Sequence, residues 1–229
     1  MSLQVYIYTA CADWSIDETL LQLAKLPLSD QRHSQRYTHP LRLRSFVASR
    51  LLLRQALADI EGKSSLEWVF DYSNKRLQLN QQQTDWQTSL SHSKDWVACV
   101  LAKTDYCGID IESNTVINPR YMAIARRFFH DNEYQQLLML PELARFPLFL
   151  DLWTRKEACV KAWHRGLAHH LASISFQQSI LNPVSFPSEF AELPLTLTSH
   201  QHHQWQLACA VNINNPEWIF REWHLKPSR

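Results

Sequence analysis

Residues 106–112 read Tyr-Cys-Gly-Ile-Asp-Ile-Glu, and this run constrains the fold more than any other stretch of the chain. Its alternation has the period of a β-strand, so Ile109 and Ile111 share one face while Asp110 and Glu112 share the other. The isoleucine face must enter a core. The acidic face carries two carboxylates about 7 Å apart, and these repel each other unless they are solvated or share a cation. Further along, Trp153–Lys161 is a run of good helix formers without Gly or Pro, in which Trp153, Glu157 and Lys161 recur at four-residue spacing. One helical stripe then holds an aromatic ring, a carboxylate and an ammonium. If Glu157 meets the acidic strand, three hard oxygen donors without His or Cys favour Mg²⁺, with Mn²⁺ possible, over Zn²⁺. Mg²⁺ is commonly completed by substrate phosphates, so a diphosphate is the natural ligand. The plainer alternative is a solvent-facing acidic strand and a surface Glu157–Lys161 pair, worth only about 0.2–0.5 kcal/mol.

The elements around these two pieces suggest an α+β protein built as two similar halves. A strand at 3–9, a helix at 17–26 stopping near Pro27 and a long helix at 41–62 ending at Gly62 come first. Strands at 66–71, 75–80 and 95–102 follow, with Asn74 as a turn residue between the first two. The order then restarts: a strand at 106–112, helices at 119–129 (Pro119 at its first position), 131–140 and 144–165 (closed by Gly166), and strands at 172–177, 204–211 and 217–224. We therefore expect an N-terminal half at 1–104 and a C-terminal half at 105–229, in pseudo-twofold arrangement with the active site in the cleft between them. With 45% apolar and 11% aromatic residues over 229 positions, either one large domain or two packed halves can bury a core.

Several function classes drop out. Only three glycines are present, and no GxGxxG or GxxxxGK[ST] pattern occurs, which excludes a Gly-rich phosphate loop. Lys and Arg (23) nearly balance Asp and Glu (22), against a general nucleic-acid binder. The five cysteines are scattered without a CxxC pair, as expected of free thiols in a reducing cytoplasm rather than a disulfide framework or zinc site. The first residues show neither a basic signal region nor a long apolar run, so a cytoplasmic protein without a membrane span is expected.

"GIDIES" at 108–113 and "LWTRKEACVKAWHRGL" at 152–167 together resemble the 4′-phosphopantetheinyl transferases. The family pattern, roughly G-[IV]-D-x-E and then W-[ST]-x-K-E-[AS]-x-x-K-x-x-x-x-G-L, is met at Gly108, Asp110, Glu112, Trp153, Thr154, Lys156, Glu157, Ala158, Lys161, Gly166 and Leu167. Between them "RRFFHDNEYQQL" at 126–137 resembles the family's R-F-F-x-x-x-E-Y-x-x-L segment. Upstream, "SLSHSKDWVACV" at 89–100 and "RYTHPLRLRSFVASRLLLR" at 36–54 are also similar to family segments. Length and layout resemble the larger, single-chain, surfactin-synthetase-activating branch, which implies a monomer.

The resemblance implies an enzyme that moves the phosphopantetheine arm of coenzyme A onto a serine of an apo acyl, peptidyl or aryl carrier protein and releases 3′,5′-ADP. It implies Asp110, Glu112 and Glu157 as Mg²⁺ ligands, and Lys161 on the coenzyme A diphosphate. Ser91 and His92, in a Ser-His-Ser turn, Arg36 toward the 3′-phosphate and Lys75 near the nucleotide would complete the cofactor contacts. At Lys75 the chain reads "NKR" where the family has Gly-Lys-Pro. Glu157 would accept the serine proton, directly or through a metal-bound water. Arg126 and Arg127 could steer an acidic carrier. Arg50, on the core stripe of its helix, needs a partner, either phosphate or a buried carboxylate. A Mg²⁺-dependent diphosphate hydrolase and a non-enzymatic coenzyme A- or carrier-binding module are the competing readings.

Overall fold

The computed structural model describes residues 3–62, 64, 68–71, 78–80, 85–164, 171–177 and 182–225. The chain begins with β1 (Gln4–Cys11), α1 (Ile16–Ala24), α2 (Leu28–Ser34) and α3 (Pro40–Glu61). There follow β2 (Val69–Asp71), β3 (Gln78–Asn80), β4 (Gln87–Ser93), β5 (Trp96–Ala102) and β6 (Cys107–Ser113). The helices α4 (Tyr121–Phe128), α5 (Asp131–Met139) and α6 (Glu142–Ala162) precede β7 (Thr196–Gln201), β8 (Trp205–Val211) and β9 (Glu217–His224). The strands form a sheet β4-β5-β1-β9, a second sheet β6-β8-β7 and a small β2-β3 hairpin. The α+β class is as expected.

Period-two alternation builds four layers. On β1 and β5, Tyr8, Ala10, Val97, Cys99 and Leu101 face α3, whose Phe46, Leu52, Leu53 and Leu57 meet them. The opposite faces, with Val5, Ile7, Ala98 and Val100, pack against Ile109, Ile111, Leu207 and Cys209 of the second sheet. Beyond that sheet lies α6, over Ala208 and Ala210. Burying Ile109 or Ile111 is worth about 1.5–3 kcal/mol each, so the isoleucine face of β6 is committed to the layer between the sheets. Its acidic face must therefore look toward α6.

Several expectations need correction. The strand at 217–224, assigned to the second half, is β9, and it pairs in parallel with β1. It covers an edge of β1 that would otherwise leave the backbone groups of a buried strand unpaired. The first helix does stop short of Pro27, at Ala24, but an unexpected second helix, α2, follows with Pro27 as its N-cap, and its Asp30 is buried in an ion pair with Arg54. Pro119 lies inside a turn, in which Asn118 accepts from the Arg120 and Tyr121 amides, and α4 starts only at Tyr121. The 172–177 run holds a 3₁₀ turn (Leu171–Ser173) and a single bridge at Ser175 instead of a strand. Its polar groups are taken by side chains: Lys156 donates to the carbonyls of Leu171 and Ile174, and Glu133 accepts from the Phe176 amide. β7 lies in a stretch read as loop. Gly62 does close α3, at φ 66°, whereas α6 stops at Ala162 with Trp163 as its cap. Asn74, Lys75, Gly166 and Leu167 lie outside the described residues. Arg50 stacks its guanidinium over Phe46 at 4.9 Å, and the fully buried arginine of α3 is Arg54.

Candidate active site

Gly108 sets the site's geometry. A Cβ there would run into the Ala158 carbonyl and the Ala162 amide nitrogen, so α6 lies directly on the β6 backbone. The small residues Ala158 and Ala162 permit that approach, and it brings Glu157 and Lys161 over the acidic face of β6. Asp110 and Glu157 are both buried. Lys161 Nζ donates to Asp110 Oδ1 at 2.7 Å, to the Ile109 carbonyl at 3.1 Å and to Ser91 Oγ at 3.1 Å. Its three N–H donors are thus all engaged by protein acceptors.

The electrostatics of the cluster are unbalanced. Burial, then repulsion from Asp110, pushes the Glu157 carboxyl up to about 8, against the pull of Lys161. Burial and Asp110 likewise push Glu112 up to about 7, opposed by hydrogen bonds from Ser93 and Trp153 and by Lys161. Without a cation, the cluster therefore keeps protons on Glu157 and Glu112 that free glutamates would have lost. Asp110 Oδ2 is buried and has no hydrogen-bond partner among the described residues. As placed, no group of three His, Cys, Asp or Glu side chains among the described residues is gathered tightly enough to hold a metal ion. Lys161 draws Asp110 toward itself instead.

Trp153 docks α6 against the end of α4 by an edge contact to Phe128, with ring centroids 6.1 Å apart, and by stacking on Phe129 at 6.5 Å, while Phe149 of α6 itself stacks beside it. Its reach to Glu112 is something the stripe pattern did not reveal.

The Ser-His-Ser segment is strand β4, not a turn; the turn comes after it, at Lys94 and Asp95. Ser91 and Ser93 therefore face β6, while the exposed His92 faces away from it. Desolvation and the charges of Lys161 and Arg42 lower the His92 pKa, with Asp110 pulling the other way. Arg42 was passed over in the sequence because it sits in the exposed first turn of α3 without a pattern around it. Arg36 is exposed after α2 and acts on His33. Thus Asp110, Glu112, Glu157, Lys161 and Ser91 share one place and His92 borders it, while Arg36 lies in the turn between α2 and α3 beside His33.

Comparison with known proteins agrees with the resemblance. The family model described as "4'-phosphopantetheinyl transferase superfamily" matches residues 106–212. The chain is 30% identical to the 4′-phosphopantetheinyl transferase HetI of a Nostoc species, over 91% of this chain and 87% of that protein. It is 30% identical to the 4′-phosphopantetheinyl transferase psf-1 of Bacillus pumilus over 64% of this chain, and there it spans only 61% of the relative. With the 4′-phosphopantetheinyl transferase Sfp of Bacillus subtilis it shares 36% identity over 57% of this chain and 58% of that protein.

Proposed function

Because the chain belongs to the 4′-phosphopantetheinyl transferase superfamily, we propose that it moves the phosphopantetheine arm of coenzyme A onto a serine of an apo acyl, peptidyl or aryl carrier protein and releases 3′,5′-ADP. One observation carries the reading: the charges of Asp110, Glu112 and Glu157 act on one another around a single ammonium, which pairs with Asp110 alone, and two of the carboxyls have strongly raised pKa values while the third has a buried oxygen lacking a donor among the described residues. That set fits a hard divalent cation, since it is all oxygen and has charge left to neutralise. Asp110, Glu112 and Glu157 would hold Mg²⁺ or Mn²⁺, which would neutralise the charge of a bound diphosphate.

The chain's own residues supply the rest. In the reaction, the carrier serine oxygen bonds to the phosphorus bearing the pantetheine arm. The bond from that phosphorus to the bridging oxygen breaks, and this oxygen leaves with 3′,5′-ADP. The serine proton passes to Glu157, directly or through a water molecule. Lys161 orients Asp110, and it reaches a substrate phosphate only by exchanging one of its three present bonds. Arg42 offers an exposed cation and His92 an uncharged ring nitrogen donor for phosphate, and Arg36 takes the 3′-phosphate. Lys75 is assigned to the nucleotide on the resemblance alone. Arg126 and Arg127, exposed at the end of α4, steer an acidic carrier.

The test is a mass measurement on apo carrier proteins of the three kinds, incubated with the protein, coenzyme A and Mg²⁺. A gain of one phosphopantetheine on a carrier, with stoichiometric 3′,5′-ADP, is expected. Formation of 3′,5′-ADP with no gain on any carrier would instead identify a hydrolase, and neither product a binding module.

A further inference from the structure

Among the described residues β6 is an edge strand of its sheet, so one row of its amides has no strand there to pair with. Three alternate serines of β4, in the other sheet, take that row. Ser89 Oγ accepts from the Ile109 amide at 3.3 Å, Ser91 Oγ from Ile111 at 3.3 Å and Ser93 Oγ from Ser113 at 3.0 Å. Two of the hydroxyls also donate to the acidic face: Ser91 to Asp110 Oδ1 and Ser93 to Glu112 Oε2, each at 2.8 Å. Side-chain hydroxyls thus do the work of a strand backbone and hold the carboxylates as well.

Ser91 is the more constrained of the two. A hydroxyl has one proton and two lone pairs. Both lone pairs of Ser91 are engaged, by the Ile111 amide and the Lys161 ammonium, and neither of these groups can accept a proton bond in return. The one proton must therefore go to Asp110 Oδ1, which must be an acceptor there. Oδ1 also takes Lys161, leaving Oδ2, the buried oxygen without a partner.

We propose that Ser91 is a positioning residue that fixes Asp110 through Oδ1 and so reserves Oδ2 for the divalent cation. The proposal rests on the metal assignment above, and it differs from a direct contact of Ser91 with coenzyme A. Without the hydroxyl, the Lys161 ammonium is free to bridge both Asp110 oxygens and compete with the cation.

The experiment measures Mn²⁺ alone binding to the full chain, by the loss of the free-ion electron paramagnetic resonance signal. No carrier or coenzyme A is present, so the result does not depend on whether transfer occurs. Ser91→Ala should weaken Mn²⁺ binding about 10–100-fold, the usual cost of removing a group that orients a metal ligand. Ser91→Thr, which keeps the hydroxyl and suits a strand, should bind within a few fold of the wild type, and it serves if the alanine variant fails to fold. The proposal is overturned if the wild type binds no Mn²⁺, if Ser91→Ala binds it as the wild type does, or if Ser91→Thr is as weak as a variant lacking the hydroxyl. A carrier that gains no mass despite Ser91-dependent Mn²⁺ binding would count against the transferase reading and leave this proposal standing.

Discussion

Helix α6 carries two buried charge clusters a turn and a half apart, and they are built on opposite principles. At Lys156, every charge is answered. The ammonium is fully buried, pairs with Glu133 at 2.7 Å, and donates to the carbonyls of Leu171 and Ile174. Glu133 in turn accepts from the amides of His130 and Phe176. At Lys161, one ammonium stands against Asp110, Glu112 and Glu157, and an oxygen is left over. A closed cluster of the first kind ties helix α5 and the 171–176 segment to α6 and has nothing left to bind. An open cluster of the second kind costs stability until something positive completes it, which makes it a site.

If that contrast is right, the two clusters respond oppositely to mutation. Lys156→Met should leave Glu133 buried and unpaired, and lower unfolding stability by about 3–5 kcal/mol, read from denaturant midpoints. A loss below 1 kcal/mol would mean that the closed cluster is not structural. Glu157→Gln should reduce carrier modification roughly 10²–10⁴-fold. The same variant should melt, metal-free at pH 8, at or above the wild-type temperature, because a repelling charge has been removed; a lower melting temperature would place Glu157 with the structural charges.

The pH dependence sharpens the contrast further. In the folded, metal-free protein, Glu112 and Glu157 ionise near 7 and 8, against 4.5 for an ordinary glutamate. Between those limits the native state holds more protons than the unfolded state, so stability falls as pH rises from about 4.5 to about 8. The contribution present at the acid end should be gone above the folded pKa values. Chemical denaturation at a series of pH values, in EDTA, measures it. Glu157→Gln should flatten the slope, and an unchanged slope would mean that other groups produce it.

The parts of the molecule readable in the sequence are those whose signals are local. The strand at β6 and the stripe of α6 follow from periods of two and about four residues, and Gly62 follows from the need for a left-handed residue after α3. What was missed depends on pairing between distant segments. The serine ladder is a matter of register between β4 and β6, and alternate serines in a strand look like any polar face until the acidic strand lies beside them. The return of β9 to β1 requires knowing that β1 has an open edge. Lys161 stands out by its spacing from Glu157, but the burial of Lys156 does not, because its partner Glu133 arrives from α5. α2 was lost because it is only seven residues long and its cap, Pro27, also marks the end of the helix before it.

A divalent cation that completes the open cluster, as proposed, must displace protons from Glu112 and Glu157. Calorimetric titration of Mn²⁺ into the metal-free protein at pH 7, repeated in buffers of different ionisation enthalpy, counts those protons directly. About one proton should be released per ion bound, and less in Glu157→Gln. Binding with no proton release, or with the same release in Glu157→Gln, would contradict the account.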